Sequence, residues 1–108
     1  MTITTRPFDA ADYLDSAADQ ADLLSDAVDS GDARYIAYAL GAIARARGGI
    51  GKLAREADMN RQALHKALSE DGNPTLDTVL KVLKALGLHM RIEEAGAAEA
   101  AEGRVDSR

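Results

Sequence analysis

The chain has 108 residues, a formal net charge of −5 and no cysteine. That length supports one domain with a core of several helices, and the missing cysteine excludes disulfide cross-links, a thiol nucleophile and the commonest zinc ligand. No window approaches the roughly 18 apolar residues of a membrane span, and the opening MTITTRPFD carries no export segment, so the expected compartment is the cytoplasm.

Phe8 and Tyr13 bracket Asp9 as a hydrophobic staple brackets an Asp N-cap, which predicts a short helix over Ala10 to Leu14. Ser16 followed by Asp19 resembles a capping box, and Ala17, Ala21, Leu24 and Val28 recur on one helical face until Gly31 stops it. Asp32 starts a third helix with Ile36, Leu40 and Ile43 as its buried stripe and Gly48-Gly49 as its end. Its last turn carries Arg45 and Arg47, where cations suit the helix dipole.

The stretch LAREADMNRQALHKAL, residues 53–68, reads as two short helices broken at Asp58, Met59 and Asn60. Beyond it, the turn Asp71-Gly72-Asn73-Pro74 isolates a closing helix capped by Thr75, with Leu76, Val79, Leu80, Leu83 and Leu86 as a wide apolar face and Gly87 as its stop. Leu88, Met90 and Ile92 then alternate with His89, Arg91 and Glu93, which predicts a short strand over 88–93. Its edge partner would be Thr2-Ile3-Thr4-Thr5, the same segment of a second subunit, or another protein. Residues 95–108 hold Val105 as their one large apolar side chain and are expected to be a disordered tail.

The expected fold class is therefore all-α. One domain of five to six helices spans 1–94, with N-terminal helices over 9–47, a helix-turn-helix over 50–69, a closing helix over 75–86 and the strand over 88–93.

Charge is unevenly spread along this plan. Residues 1–44 carry −6, residues 45–92 carry +4 and residues 93–108 carry −3. A basic centre between two acidic ends keeps a nucleic-acid partner open despite the negative total.

The break at Asp58 to Asn60 has the chemistry of a helix-turn-helix. Leu53, Ala54 and Ala57 give the first helix a small apolar face, and the short Ala54 side chain lets the second helix approach. Asp58 stands at the sharp turn, where it is among the few residues that tolerate positive φ. Met59 plugs the corner, Asn60 serves as N-cap, and Leu64, Ala67 and Leu68 hold the second helix down.

Arg61, Gln62, His65 and Lys66 then face outward from the first two turns of the second helix, the part that meets base edges in this docking geometry. Arg can pair bidentately with guanine and Gln with adenine, while Lys66 and the Asn60 side chain can reach base or phosphate. Lys52 and Arg55 on the first helix suit the flanking backbone. Any solvated helix displays such residues; their combination with Ala54, the Asp-Met-Asn turn and the Leu64 to Leu68 anchor is what favours DNA. His65 alone reads as a surface histidine, and His65 and His89 together make no metal site.

The segment from Ala39 to Ile92, with IARARG, LAREADMNRQALHKALSEDGNP and VLKVLKALGL as its most specific parts, resembles the HigA-like addiction-module antidote proteins, which carry a helix-turn-helix of the Cro and phage-repressor type. The opening RPFDAADYLDS resembles them too. Asp58 stands where that family usually has glycine, and Asn60 where it usually has serine.

The resemblance implies an antitoxin that neutralises a small basic ribonuclease toxin of the RelE and HigB type. It also implies a repressor of the shared operon, acting as a homodimer on operator DNA. The residues themselves suggest no cofactor and no metal. The acidic first 44 residues suit a basic toxin, and equally a solvated outer face.

Two other readings compete: a stand-alone helix-turn-helix repressor without a toxin partner, and a protein-binding adaptor whose turn is structural. An enzyme is disfavoured, since no motif sets a nucleophile beside a base and the glycines of Gly48-Gly49-Ile50-Gly51 lack a phosphate-binding Lys-Ser or Lys-Thr.

Overall fold

The computed structural model describes residues 10–96. It is all-helical: a single 3-10 turn, Ala10–Tyr13, precedes α1 (Ala17–Ser30), α2 (Ala33–Ala46), α3 (Ile50–Glu56), α4 (Arg61–Ala67) and α5 (Leu76–Leu86). Phe8, Asp9, the candidate strand at Thr2 to Thr5 and residues 97–108 of the tail lie outside the described residues.

The helix boundaries follow their capping chemistry. Ser16 Oγ accepts the Asp19 N–H at 3.1 Å, Asp32 Oδ1 accepts the Arg34 N–H at 2.9 Å, and Thr75 Oγ1 accepts the Thr78 N–H at 3.1 Å. Each such bond satisfies one of the donors that a helix start leaves free and contributes about 1 kcal/mol. Gly31 and Gly87 end α1 and α5 in the left-handed conformation, with φ of 73° and 76°.

α2 is the centre of the core. Leu40 and Ile43 are fully buried on it, with Ala39, Ala42 and Ala44 around them. Ile36, expected in the same stripe, is only half-buried at the margin. The same core cluster takes Leu14, Leu24 and Ala27 from the N-terminal elements, which pack on α2, and Leu53, Ala54, Leu64, Leu68, Val82, Leu83 and Leu86 from α3 to α5, with α4 and α5 packed on α3. Burying each large aliphatic side chain contributes about 1.5–3 kcal/mol. Gly41, in the middle of α2, lies against the Leu68 backbone: a Cβ there would stand 3.2 Å from the Leu68 carbonyl oxygen. The helix-propensity cost of that glycine, about 1 kcal/mol, is accompanied by a closer approach of the end of α4 to the core.

Three expectations need correction. No strand forms among the described residues: 88–94 have no regular secondary structure, and Ile92 is 84% exposed. A strand requires a hydrogen-bonding edge beside it, and the described residues offer none. In α1 the inward residues are Gln20, Leu24 and Ala27, whereas Ala17 and Val28 face solvent. In α5 the fully buried Val82 joins Leu83 and Leu86 inside, while Leu76 and Leu80 are 66% and 48% exposed. Both helices are rotated from the orientation their apolar spacing suggests.

The inward Gln20 explains part of the rotation of α1. Its Nε2 donates to the Leu14 carbonyl at 3.2 Å, and its Oε1 accepts from Arg47 Nη1 at 3.3 Å. A buried amide with both ends hydrogen-bonded carries no large desolvation penalty. No helix among the described residues is long and apolar enough to cross a membrane.

Candidate nucleic-acid interface

α3 ends in a hydrogen-bonded turn that separates it from α4. The Met59 N–H donates to the Ala54 carbonyl at 2.8 Å and the Asp58 N–H to the Arg55 carbonyl at 3.2 Å, the paired bonds of a Schellman motif. The residue between must be left-handed, and Asp58 has φ 57°, the one non-glycine with positive φ among the described residues. Met59 packs against the core, which is the apolar contact that usually accompanies this motif. The chain restarts at once: Asn60 Oδ1 accepts the Ala63 N–H at 2.8 Å and caps α4.

α4 is anchored by Leu64, fully buried, and by Leu68 at its end, with Ala67 half-buried. A seven-residue helix is unstable alone, so this anchoring is what keeps its outer face in one orientation. That face carries Gln62, His65 and Lys66, all exposed, with Arg61 at the first turn.

The remaining candidate residues divide. Asn60 has its amide oxygen committed to the cap. Lys52 is paired with Glu56, Nζ to Oε2 at 3.2 Å, across an exposed turn of α3, a contact contributing a few tenths of a kcal/mol. Arg55 and Arg61 converge over Gly51: a Cβ on that glycine would stand 3.3 Å from Arg61 Nε and 3.9 Å from Arg55 Nη1. Thus of the seven candidates the structure brings Arg55 of α3 and Arg61 of α4 to one point. Arg61 lies back along α3, whereas Gln62, His65 and Lys66 belong to the exposed side of α4.

Sequence reasoning missed two features. Gly51 was invisible as a contact, because a close approach between helices leaves no mark on hydropathy. The second is a cleft of about 560 Å³ between α2 and the segment after α4, lined by Asp32, Tyr35, Tyr38, Ser69 and Glu70 among others. Tyr35 at its wall donates its hydroxyl to Asp26 Oδ2 at 2.6 Å, tying α2 to α1.

Residues 4–94 match a family described as "Probable addiction module antidote protein". An uncharacterized protein of Haemophilus influenzae is 40% identical over 95 residues, which cover 88% of this chain and 97% of that one. No solved structure matches the chain. With the match running from before the first helical turn to beyond α5, the chain belongs to the family of probable addiction module antidote proteins.

Proposed function

We propose that this antidote acts in two ways, by neutralising a small basic RelE/HigB-like ribonuclease toxin and by repressing its own operon through sequence-specific DNA binding as a cytoplasmic homodimer. It performs no chemistry itself.

The observation that carries the DNA reading is the exposed row Gln62, His65 and Lys66 on a short helix held by a left-handed turn at Asp58 and a buried Leu64. In a helix-turn-helix reader the first turns of the second helix meet base edges in the major groove. Gln62 matches the paired donor and acceptor of adenine, and Lys66 a guanine edge or a phosphate. Two copies related by a two-fold axis would set their α4 helices about 34 Å apart, one turn of DNA. Leu76 and Leu80, one turn apart and exposed on α5, supply an apolar surface for that pairing.

The toxin reading is supported by family membership and by α1. Asp19, Asp22, Asp26 and Asp29 follow at three- and four-residue spacing, all exposed, on a helix with no Lys or Arg. Neighbouring like charges on one face cost a few tenths of a kcal/mol per pair, and a cationic partner would relieve that repulsion while accelerating encounter.

Co-expression with the adjacent gene, followed by footprinting on the shared promoter, tests both halves. A co-purifying small basic protein whose toxicity is relieved, together with a protected palindrome, is the expected result. Gln62→Ala should lower promoter affinity by about 1–3 kcal/mol and leave scrambled DNA unaffected. Promoter protection without any toxic neighbour would favour the stand-alone repressor instead. Toxin relief without a footprint would remove the DNA half.

A further inference from the structure

The convergence of Arg55 and Arg61 over Gly51 calls for a physical reason. Two guanidinium groups, one from each helix of the turn, approach within 4 Å of one point beside the Gly51 backbone. Like charges do not gather there for their own stability. Among the described residues neither the Arg55 nor the Arg61 guanidinium makes a hydrogen bond or ion pair, and the carboxylate of Glu56 is held by Lys52.

Arg61, at the first turn of α4, reaches back to α3. Its Cδ and Nε lie 3.6 and 3.3 Å from where a Gly51 Cβ would be, so the side chain, although exposed, passes beside α3 at Gly51. Any β-carbon at residue 51 would press on it.

We infer that Arg55 and Arg61 together hold one phosphodiester of the DNA backbone, and that Gly51 is the positioning residue that lets Arg61 lie in place to do so. This rests on the DNA-binding reading above and changes the role of one residue within it: Arg61 fixes the register of α4 on the duplex, and base reading falls to Gln62, His65 and Lys66. The chemistry is matched, since the planar guanidinium fork suits a phosphate with two parallel N–H donors. A shared anion between the two cations replaces repulsion by two attractions. Contacts of this kind set orientation without carrying sequence information.

The test is a salt series of binding titrations with the full chain, on a duplex from its own promoter and on a scrambled duplex of equal length. Arg61→Ala should weaken both by the same factor and reduce the slope of log affinity against log salt by about one. Arg55→Ala should do the same, and its effect should shrink in the Arg61→Ala background, because the two share a phosphate. Gly51→Ala should reproduce part of the Arg61→Ala loss of slope while the melting temperature holds or rises, alanine being the better helix former.

An Arg61→Ala variant that loses preference at one base pair with its salt slope intact makes Arg61 a base reader and overturns the inference, although the DNA reading then stands. Additive losses for Arg55 and Arg61 overturn the shared phosphate. Gly51→Ala with wild-type slope and affinity overturns the positioning role. Inorganic phosphate that binds the wild-type chain through Arg61, with the DNA slope unchanged by Arg61→Ala, assigns the pair to a free anion instead. Should the wild-type chain bind neither duplex, the inference and the reading beneath it fall together.

Discussion

Arg47 Nη1 donates to the carbonyl oxygen of Leu86 at 2.8 Å, so the residue that caps the C-terminus of α2 holds the last turn of α5 by a charged hydrogen bond. The same nitrogen reaches Gln20 Oε1 at 3.3 Å, which extends the tie to α1. Helix ends leave carbonyl groups without partners, and an arginine is well suited to satisfy one at a distance. Truncating it removes the donor and leaves acceptors in a part-buried setting. Arg47→Ala is therefore expected to destabilise the fold by about 1–3 kcal/mol, seen as a lower urea midpoint. A midpoint equal to wild type would show that water replaces the guanidinium at no cost.

Asp58 sustains a left-handed backbone that glycine adopts freely. Asp58→Ala is expected to cost about 1 kcal/mol, because alanine has no short polar side chain to offset the steric strain. Asp58→Gly should hold or raise stability and keep DNA binding. Chemical denaturation of the two variants side by side measures the difference, and identical stabilities would mean that the turn relaxes out of the left-handed region.

The Tyr35 hydroxyl donates to Asp26, and that bond holds the phenol pKa above its ordinary value of 10.0. Folding favours the protonated phenol, so this contribution to stability is complete below pH 10.0 and disappears as pH rises through the raised value of the folded state. In Asp26→Asn the tyrosinate absorbance of Tyr35, taken as the difference from Tyr35→Phe, should titrate closer to the ordinary range. An unshifted curve would exclude the carboxylate as the cause.

Leu76 and Leu80 are exposed on α5 although large aliphatic residues usually go inside. If a second copy covers them, Leu80→Glu should convert a dimer to a monomer in sedimentation experiments while the circular dichroism stays unchanged, since the residue lies outside the core of one protomer. A wild-type chain that is monomeric at micromolar concentration would remove this surface from the proposed pairing.

What the sequence determined by itself was local. Ser16, Asp32, Asn60 and Thr75 cap their helices as their side-chain chemistry predicts, and Asp58 takes the positive φ anticipated for it, because each depends on atoms within a few residues. The alternation at Leu88, Met90 and Ile92 misled for the converse reason: a strand exists only through a neighbour that the pattern cannot supply. Tertiary structure alone decided which part of a wide apolar stripe turns inward, leaving Leu80 out and taking Val82 in, since hydrophobic periodicity measures the direction of a stripe and not what packs on it. It alone also laid Arg61 across Gly51 beside Arg55 and carried Arg47 to the end of α5. Contacts between residues distant in the chain arise only when the helices are assembled, and no local rule encodes them.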